Sequence, residues 1–107
     1  MEGRKNDDGK LQYDLIPAYP LEELSLAYTV GAKNPAYGPH NWRGGMRWGR
    51  PFAAMMRHAW KWWQGESRDT EGQHHLASVA FWAFALMEYE KYSIGEDDRW
   101  KYLSPSS

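Results

Sequence analysis

The side chains best suited to chemistry gather between two histidines, in the order His58, Glu66, Asp69, Glu71, His74, His75. Glu66 and Asp69 stand three positions apart. On a helix or tight turn that spacing aims two carboxylates at one divalent ion. His58 precedes them and His75 follows, so a helix–turn–helix hairpin brings all four to one corner. Glu22 and Glu23, far upstream, can add carboxylates from another helix. Carboxylates joined by one or two imidazoles suit Mg²⁺ or Mn²⁺, and Zn²⁺ less well. Taken singly, each residue has a plainer reading. An acidic connector is ordinarily solvated. His58 lies at helical spacing from Met55 and Trp62 and fits a hydrogen-bonded core histidine. His74 reads as exposed. Glu22 and Glu23 complement a helix dipole. The combination, not any member, points to a metal site.

A second group has another character. The run from Tyr37 to Trp48, YGPHNWRGGMRW, interleaves aromatics and glycines with Asn41, Arg43 and Arg47. Guanidinium groups clamp phosphates and an indole face stacks a base. Lys10, after Gly9, adds a cation that can reach a phosphate. The plainer reading is a loop held in shape by buried Trp42 and Trp48.

These groups need elements to position them. Pro17 and Pro20 punctuate an extended N-terminal arm over 1–20. Pro20 suits the first turn of a helix in which Leu21, Leu24 and Tyr28 recur at helical spacing, and Gly31, Asn34 and Pro35 end it. A long Gly/Pro-rich loop follows. A second helix opens at Arg50 or Pro51, carries the apolar stripe Phe52, Met55, Met56, Ala59 and Trp63, and stops at Gly65. A third runs from about Gln73 to Tyr92. Its middle, LASVAFWAFALM, has Ser78 as its one polar residue. A helix apolar all round is buried all round. Two other short helices can hardly cover it, so a homo-oligomer, dimer or tetramer, is expected. Glu96 onward reads as an acidic, aromatic tail over 96–107 whose SPSS end is expected to be disordered.

Composition narrows the classes further. At 107 residues one domain is expected, with a helical core over 21–92. The formal net charge of −1 gives no basic field for a nucleic-acid backbone. With no cysteine, disulfides and thiolate metal sites are excluded. No apolar leader stands at the N-terminus and no apolar run is long enough for a membrane span, so a cytoplasmic protein without nucleic-acid or membrane partners is expected. The fold class expected is all-α: a small bundle of about three main helices, completed by homo-oligomerisation.

The order of segments DDGKLQYDLIP, PLEELSLAYTVGAKNPAYGPHNW and RPFAAMMRHAWKWWQGESRDTEGQHHLA, over about residues 7 to 92, resembles the dATP/dGTP diphosphohydrolase (MazZ-like) family. That family is itself similar to the all-α MazG-type nucleotide pyrophosphohydrolases. The resemblance rests on Gly9-Lys10, Glu22-Glu23, Gly31-Ala32-Lys33, Asn41-Trp42, Arg57-His58, Gly65-Glu66, Asp69 and His75-Leu76 together. It implies cleavage of dATP or dGTP between the α and β phosphates, to the monophosphate and pyrophosphate, by an oligomeric helical bundle with carboxylate-bound metals. Three departures stand out. Ser78 replaces a further histidine, bulky Trp82 replaces a smaller or polar residue, and the first helix lacks the ExxE of MazG-type proteins. On this reading Glu23, Glu66 and Asp69 are the candidate catalytic residues. Glu22, Glu23, His58, Glu66, Asp69 and His75 are the candidate ligands of Mg²⁺ or Mn²⁺. Lys10, Asn41, Trp42, Arg43 and Arg47 are the candidate substrate contacts. The alternatives are a phage-encoded protein that binds a nucleotide without turning it over, and a purely structural helical oligomer.

Overall fold

The computed structural model describes residues 3–101; the SPSS end, Tyr102 and Leu103 of the expected tail lie outside them. Three α-helices carry the fold: α1 over Ala18–Ala32, α2 over Gly49–Trp63 and α3 over His75–Tyr92. Short 3-10 turns occur at Tyr13–Leu15 and Asn41–Gly44. The described residues contain no strand, only the isolated bridges Arg47–Glu96 and Arg68–His74. The all-α expectation holds.

Each helix begins where its orphan amide groups find an answer. Pro17 is extended (φ −67°, ψ 138°) and α1 starts at Ala18, before the expected Pro20. Pro20 thus occupies the first turn, where its missing N–H removes a donor that has no intrahelical partner. α2 has no local side-chain cap. The Gly49 amide instead donates to the Asp98 Oδ1 at 2.8 Å, from the far end of the chain. α3 is capped by His74, whose Nδ1 accepts from the Leu76 amide at 3.1 Å. His74 is half-buried and fixes a helix start; it is not the exposed bystander that its sequence position indicates.

α3 is the central element and packs against α2, α1 and the 3-10 turn at Asn41–Gly44. α2 and α3 are antiparallel: His58 meets His75 at one end, and Trp48 meets Ile94 at the other. The buried core is small, with Leu24, Ala27, Ala77, Ala85 and Tyr89 joined by His75. Trp42 is drawn into it, at 6.3 Å from the rings of both Phe81 and Tyr89. Its carbonyl accepts from the Tyr89 hydroxyl. The loop is therefore held by Trp42, as its plainer reading predicts.

The middle of α3 is not covered all round within one chain, as its apolar pattern leads one to expect: Phe84 and Met87 remain 45% and 59% exposed. One expectation is modified. The residues after Ile94 do not form a free tail over 96–101. The Trp48 indole donates to the Ile94 carbonyl at 2.8 Å, and the Trp48 amide donates to the Glu96 carbonyl at 2.9 Å. Gly95 (φ +76°) allows this crossing, because a Cβ there would collide with the Met46 carbonyl. The segment is a strap across the start of α2. No helix among the described residues is long and apolar enough to cross a membrane.

Candidate functional site

Two regions adjoin along α2. The first lies where α2, the connector and the start of α3 meet. His75 is only 2% exposed, and both of its ring nitrogens have partners. Its Nε2 lies 2.9 Å from the Glu66 Oε2, and its Nδ1 lies 2.9 Å from the His58 Nδ1. A carboxylate can only accept, so the proton shared with Glu66 sits on the His75 Nε2. In the neutral arrangement the His58 Nδ1–H then donates to the His75 Nδ1. That leaves the His58 Nε2 as a bare lone pair, able to take a proton or meet a cation. Burial is the first cause that pushes the His58 pKa down, followed by the neighbouring His75. Arg57 and Lys61 act the same way, while Asp69 opposes them. The electrostatics thus favour the neutral imidazole that the hydrogen bonds require.

The other expected ligands are engaged elsewhere. Asp69 uses its Oδ1 to accept from the Glu71 and Gln73 amides, at 2.8 and 3.0 Å, and so builds the turn that returns the chain to α3. Glu71 is exposed on that turn. Glu23 is held by Arg68, at 2.6 Å from Oε1 to Nη2 and 3.2 Å from Oε2 to Nη1. The guanidinium also donates to the Gly72 carbonyl and to the Tyr19 hydroxyl. This grip, with the Arg68 hydrogen bond as first cause, lowers the Glu23 pKa. Glu22 is exposed and makes no hydrogen bond or ion pair among the described residues. No group of three or more His, Asp or Glu among those residues converges as a metal cage. Hence Glu66, His75 and His58 are linked in a chain, and Glu22, Glu23 and Asp69 are not joined to it by hydrogen bonds.

The second region is an open cleft of about 1470 Å³. One wall is the end of α1, from Tyr28 to Lys33, and the other is the first half of α2. Phe81 and Trp82 of α3 form its floor, and the loop closes one end. Asn41, Trp42, Arg43 and Arg47 all line it. Lys10 does not; it lies exposed in the N-terminal turn. Arg43 is anchored in three ways. Its Nε donates to the His40 Nδ1 at 2.9 Å, it faces Glu88 at 3.6 Å, and it stacks 4.6 Å from the Trp42 ring. Trp82, one of the three departures noted in the sequence, lines the cleft beside Phe81.

The family model described as dATP/dGTP diphosphohydrolase, N-terminal, matches residues 1–99. The chain belongs to this family. No curated protein and no solved structure matches it.

Within this dATP/dGTP diphosphohydrolase relative, the sequence under-reads three cleft residues: Lys33, Arg50 and Arg57. The signal for the last two was present, since Arg50 and Arg57 flank Ala53 and Ala54 at a spacing of two helical turns. No comparable signal marked Arg68 as the partner of Glu23, because 45 positions separate them.

Proposed function

We propose that the protein hydrolyses dATP or dGTP between the α and β phosphates, giving the monophosphate and pyrophosphate. Family membership supports the reaction class. The observation that carries the reading to this site is an adjacency on α2: Arg57 lines the cationic cleft, and His58, the next residue, ends the Glu66–His75–His58 chain. A nucleotide seated in the cleft against Trp42 would present its phosphates to that end.

Glu66 fixes the His75 ring, His75 fixes the His58 ring, and the His58 Nε2 is the group left to accept a proton from an attacking water. Arg47 meets phosphate oxygens, Asn41 and Trp42 shape the pocket for base and sugar, and Arg43 holds Trp42 in place. Mg²⁺ or Mn²⁺ is part of the proposal. Mg²⁺ is commonly held by one or two carboxylates together with substrate phosphates, so a cage of three protein ligands is not required. The oxygens of Glu66 and the Asp69 Oδ2 fit that donor set. Such an ion supplies charge neutralisation at the phosphates and a more acidic water. The exposed Phe84 and Met87, with Trp63 at 72% exposure, support a homo-oligomer.

The test is incubation with a panel of nucleoside and deoxynucleoside triphosphates and Mg²⁺ or Mn²⁺, read by product chromatography. dAMP or dGMP with pyrophosphate supports the proposal. Diphosphate with orthophosphate, or no turnover of any nucleotide, overturns it. The engagement of Glu23 by Arg68 and of Asp69 by its own turn favours one other reading, a nucleotide-binding protein without turnover. Tight binding with no products distinguishes it.

A further inference from the structure

The charges around the cleft are unevenly matched. Five cations line it: Lys33, Arg43, Arg47, Arg50 and Arg57. Among the described residues its one acidic lining residue is Asp98, whose Oδ1 already accepts from the Gly49 amide. Arg43 is committed to His40, Glu88 and Trp42. The side chains of the other four make no hydrogen bond or ion pair among the described residues. Like charges facing one concavity repel, which is unfavourable unless an anion enters. The chain neutralises Glu23, Glu66 and Asp97 with cations or imidazole, yet leaves these four exposed and without a counter-charge among the described residues.

Their placement is also directional. Arg50 and Arg57 lie two turns apart on α2, about 10 Å along its axis at 1.5 Å per residue. Ala53 and Ala54 between them also line the cleft and leave its wall low. A linear chain of phosphates matches that spacing better than a single phosphate does. Guanidinium forks suit phosphate oxygens, which they meet in pairs. Lys33 stands opposite, at the C-terminal end of α1.

We propose that Arg50 and Arg57 of α2, with Lys33 across the cleft and Arg47 at its loop end, form a binding site for a polyphosphate chain lying along α2. The chain runs from the loop end toward His58. The ligand identity as a nucleotide rests on the function proposed above. The polyphosphate site does not, and it is testable with inorganic tripolyphosphate.

Trp42 and Trp82 line the cleft, so indole fluorescence and calorimetry both read its occupation. The probes are tripolyphosphate, orthophosphate, dATP and deoxyadenosine, with wild type, Arg50→Gln and Arg57→Gln. Tripolyphosphate should bind the wild type, displace dATP, and bind at least tenfold more tightly than orthophosphate. Each substitution removes a charge-assisted contact, so it should weaken tripolyphosphate by about tenfold or more. Deoxyadenosine affinity should be unchanged, which also shows that the variant cleft is intact. The exposed Lys33→Gln serves as a third variant should either α2 variant fail to fold. Absence of tripolyphosphate binding, equal binding by the α2 variants, or orthophosphate binding as tight as tripolyphosphate overturns the site. If tripolyphosphate binds as described while no nucleotide is cleaved, the hydrolase reading fails and the polyphosphate site stands.

Discussion

The two regions that meet on α2 treat charge in opposite ways. At the α2–α3 end, the acidic and imidazole groups are satisfied within the chain: Glu66 by His75, His75 by His58, Glu23 by Arg68. In the cleft, Lys33, Arg47, Arg50 and Arg57 face open space without partners among the described residues. A region that satisfies itself gains rigidity and fixes proton positions. A region that leaves like charges unmatched offers a field that an anionic ligand can neutralise. The first arrangement suits a group that must be oriented, and the second suits a surface that must be filled. Substitutions should therefore cost stability at the first and binding at the second.

The largest effect is expected at His75. Replacing it with Ala leaves the half-buried His58 Nδ1 without its partner and opens a void among buried residues. Each buried group left unsatisfied costs about 1–3 kcal/mol, and a void adds to this. For a domain of this size each kcal/mol lowers Tm by roughly 4–8 °C. Thermal unfolding should show a drop of that order or greater, with turnover lost. Glu66→Gln is the contrasting change. Its amide oxygen still accepts from the His75 Nε2, so stability should move by less than about 1 kcal/mol, while turnover falls to background. Equal destabilisation by the two changes would show that the end acts only as a structural tie.

Tyr89→Phe comes next and probes the support behind Trp42 in the cleft. Tyr89 is fully buried and its hydroxyl is bonded to the Trp42 carbonyl. Removing the hydroxyl should cost about 0.5–1.5 kcal/mol. Because Trp42 also lines the cleft, KM for a triphosphate should rise while kcat holds. An unchanged KM would mean that the cleft wall is not set by Tyr89.

How much of this was legible beforehand follows from the range of the interactions. The three helices were readable because Leu21, Leu24 and Tyr28, or Phe52, Met55 and Ala59, repeat within a few residues. The Asn41–Arg47 segment showed its aromatic and cationic content directly, and all four named residues reach one cleft. The Glu66–Asp69 spacing showed two nearby carboxylates but not their partners, because those residues lie in a doubled-back connector and not on a helix. There Asp69 satisfies amides of its own turn. Arg68 stood beside Asp69 in the sequence, but its partner Glu23 is reached only through tertiary folding. The Asp98 cap on Gly49 is equally non-local. Short-range periodicity is carried by the sequence; charge pairing across the fold is not.

A smaller effect, and the sharpest test of the contrast, is the response to anions. If the cleft cations are strained by mutual repulsion, pyrophosphate should stabilise the wild type by linkage. The gain is about 1.4 kcal/mol when the anion stands at ten times its Kd. The Arg50→Gln/Arg57→Gln double variant should lose most of that gain and be no less stable than wild type without the anion. Sodium chloride at matched ionic strength controls for screening. A pyrophosphate response that is identical in both proteins would place the anion elsewhere.

The smallest expected effect concerns a third kind of charge, paired but solvated. Asp97 accepts from the Arg99 Nε and Nη2, both at 2.8 Å, and from the Lys101 Nζ at 3.0 Å. Arg99 first, then Lys101, holds its carboxyl well below the usual range. These partners are exposed, so solvent screens the pair and the contribution is modest. The sign follows from proton uptake. Between the folded value and the ordinary 3.8, the unfolded chain binds the proton and the folded chain does not. The stabilisation is therefore complete above 3.8 and fades as pH falls toward the folded value. Asp97→Asn should lower Tm slightly at neutral pH, and the gap should close in acid. The strap also carries Asp98 to the Gly49 amide at the edge of the cleft. Asp97 itself does not line that cleft, so turnover should change by less than about twofold, given that surface substitutions of this kind are usually mild. Unfolding curves of both proteins at about pH 7, 4 and 2 check the sign. A gap that widens in acid would mean that the strap is held by contacts other than this carboxylate, and the three-way contrast of satisfied, unmatched and screened charge would lose its third member.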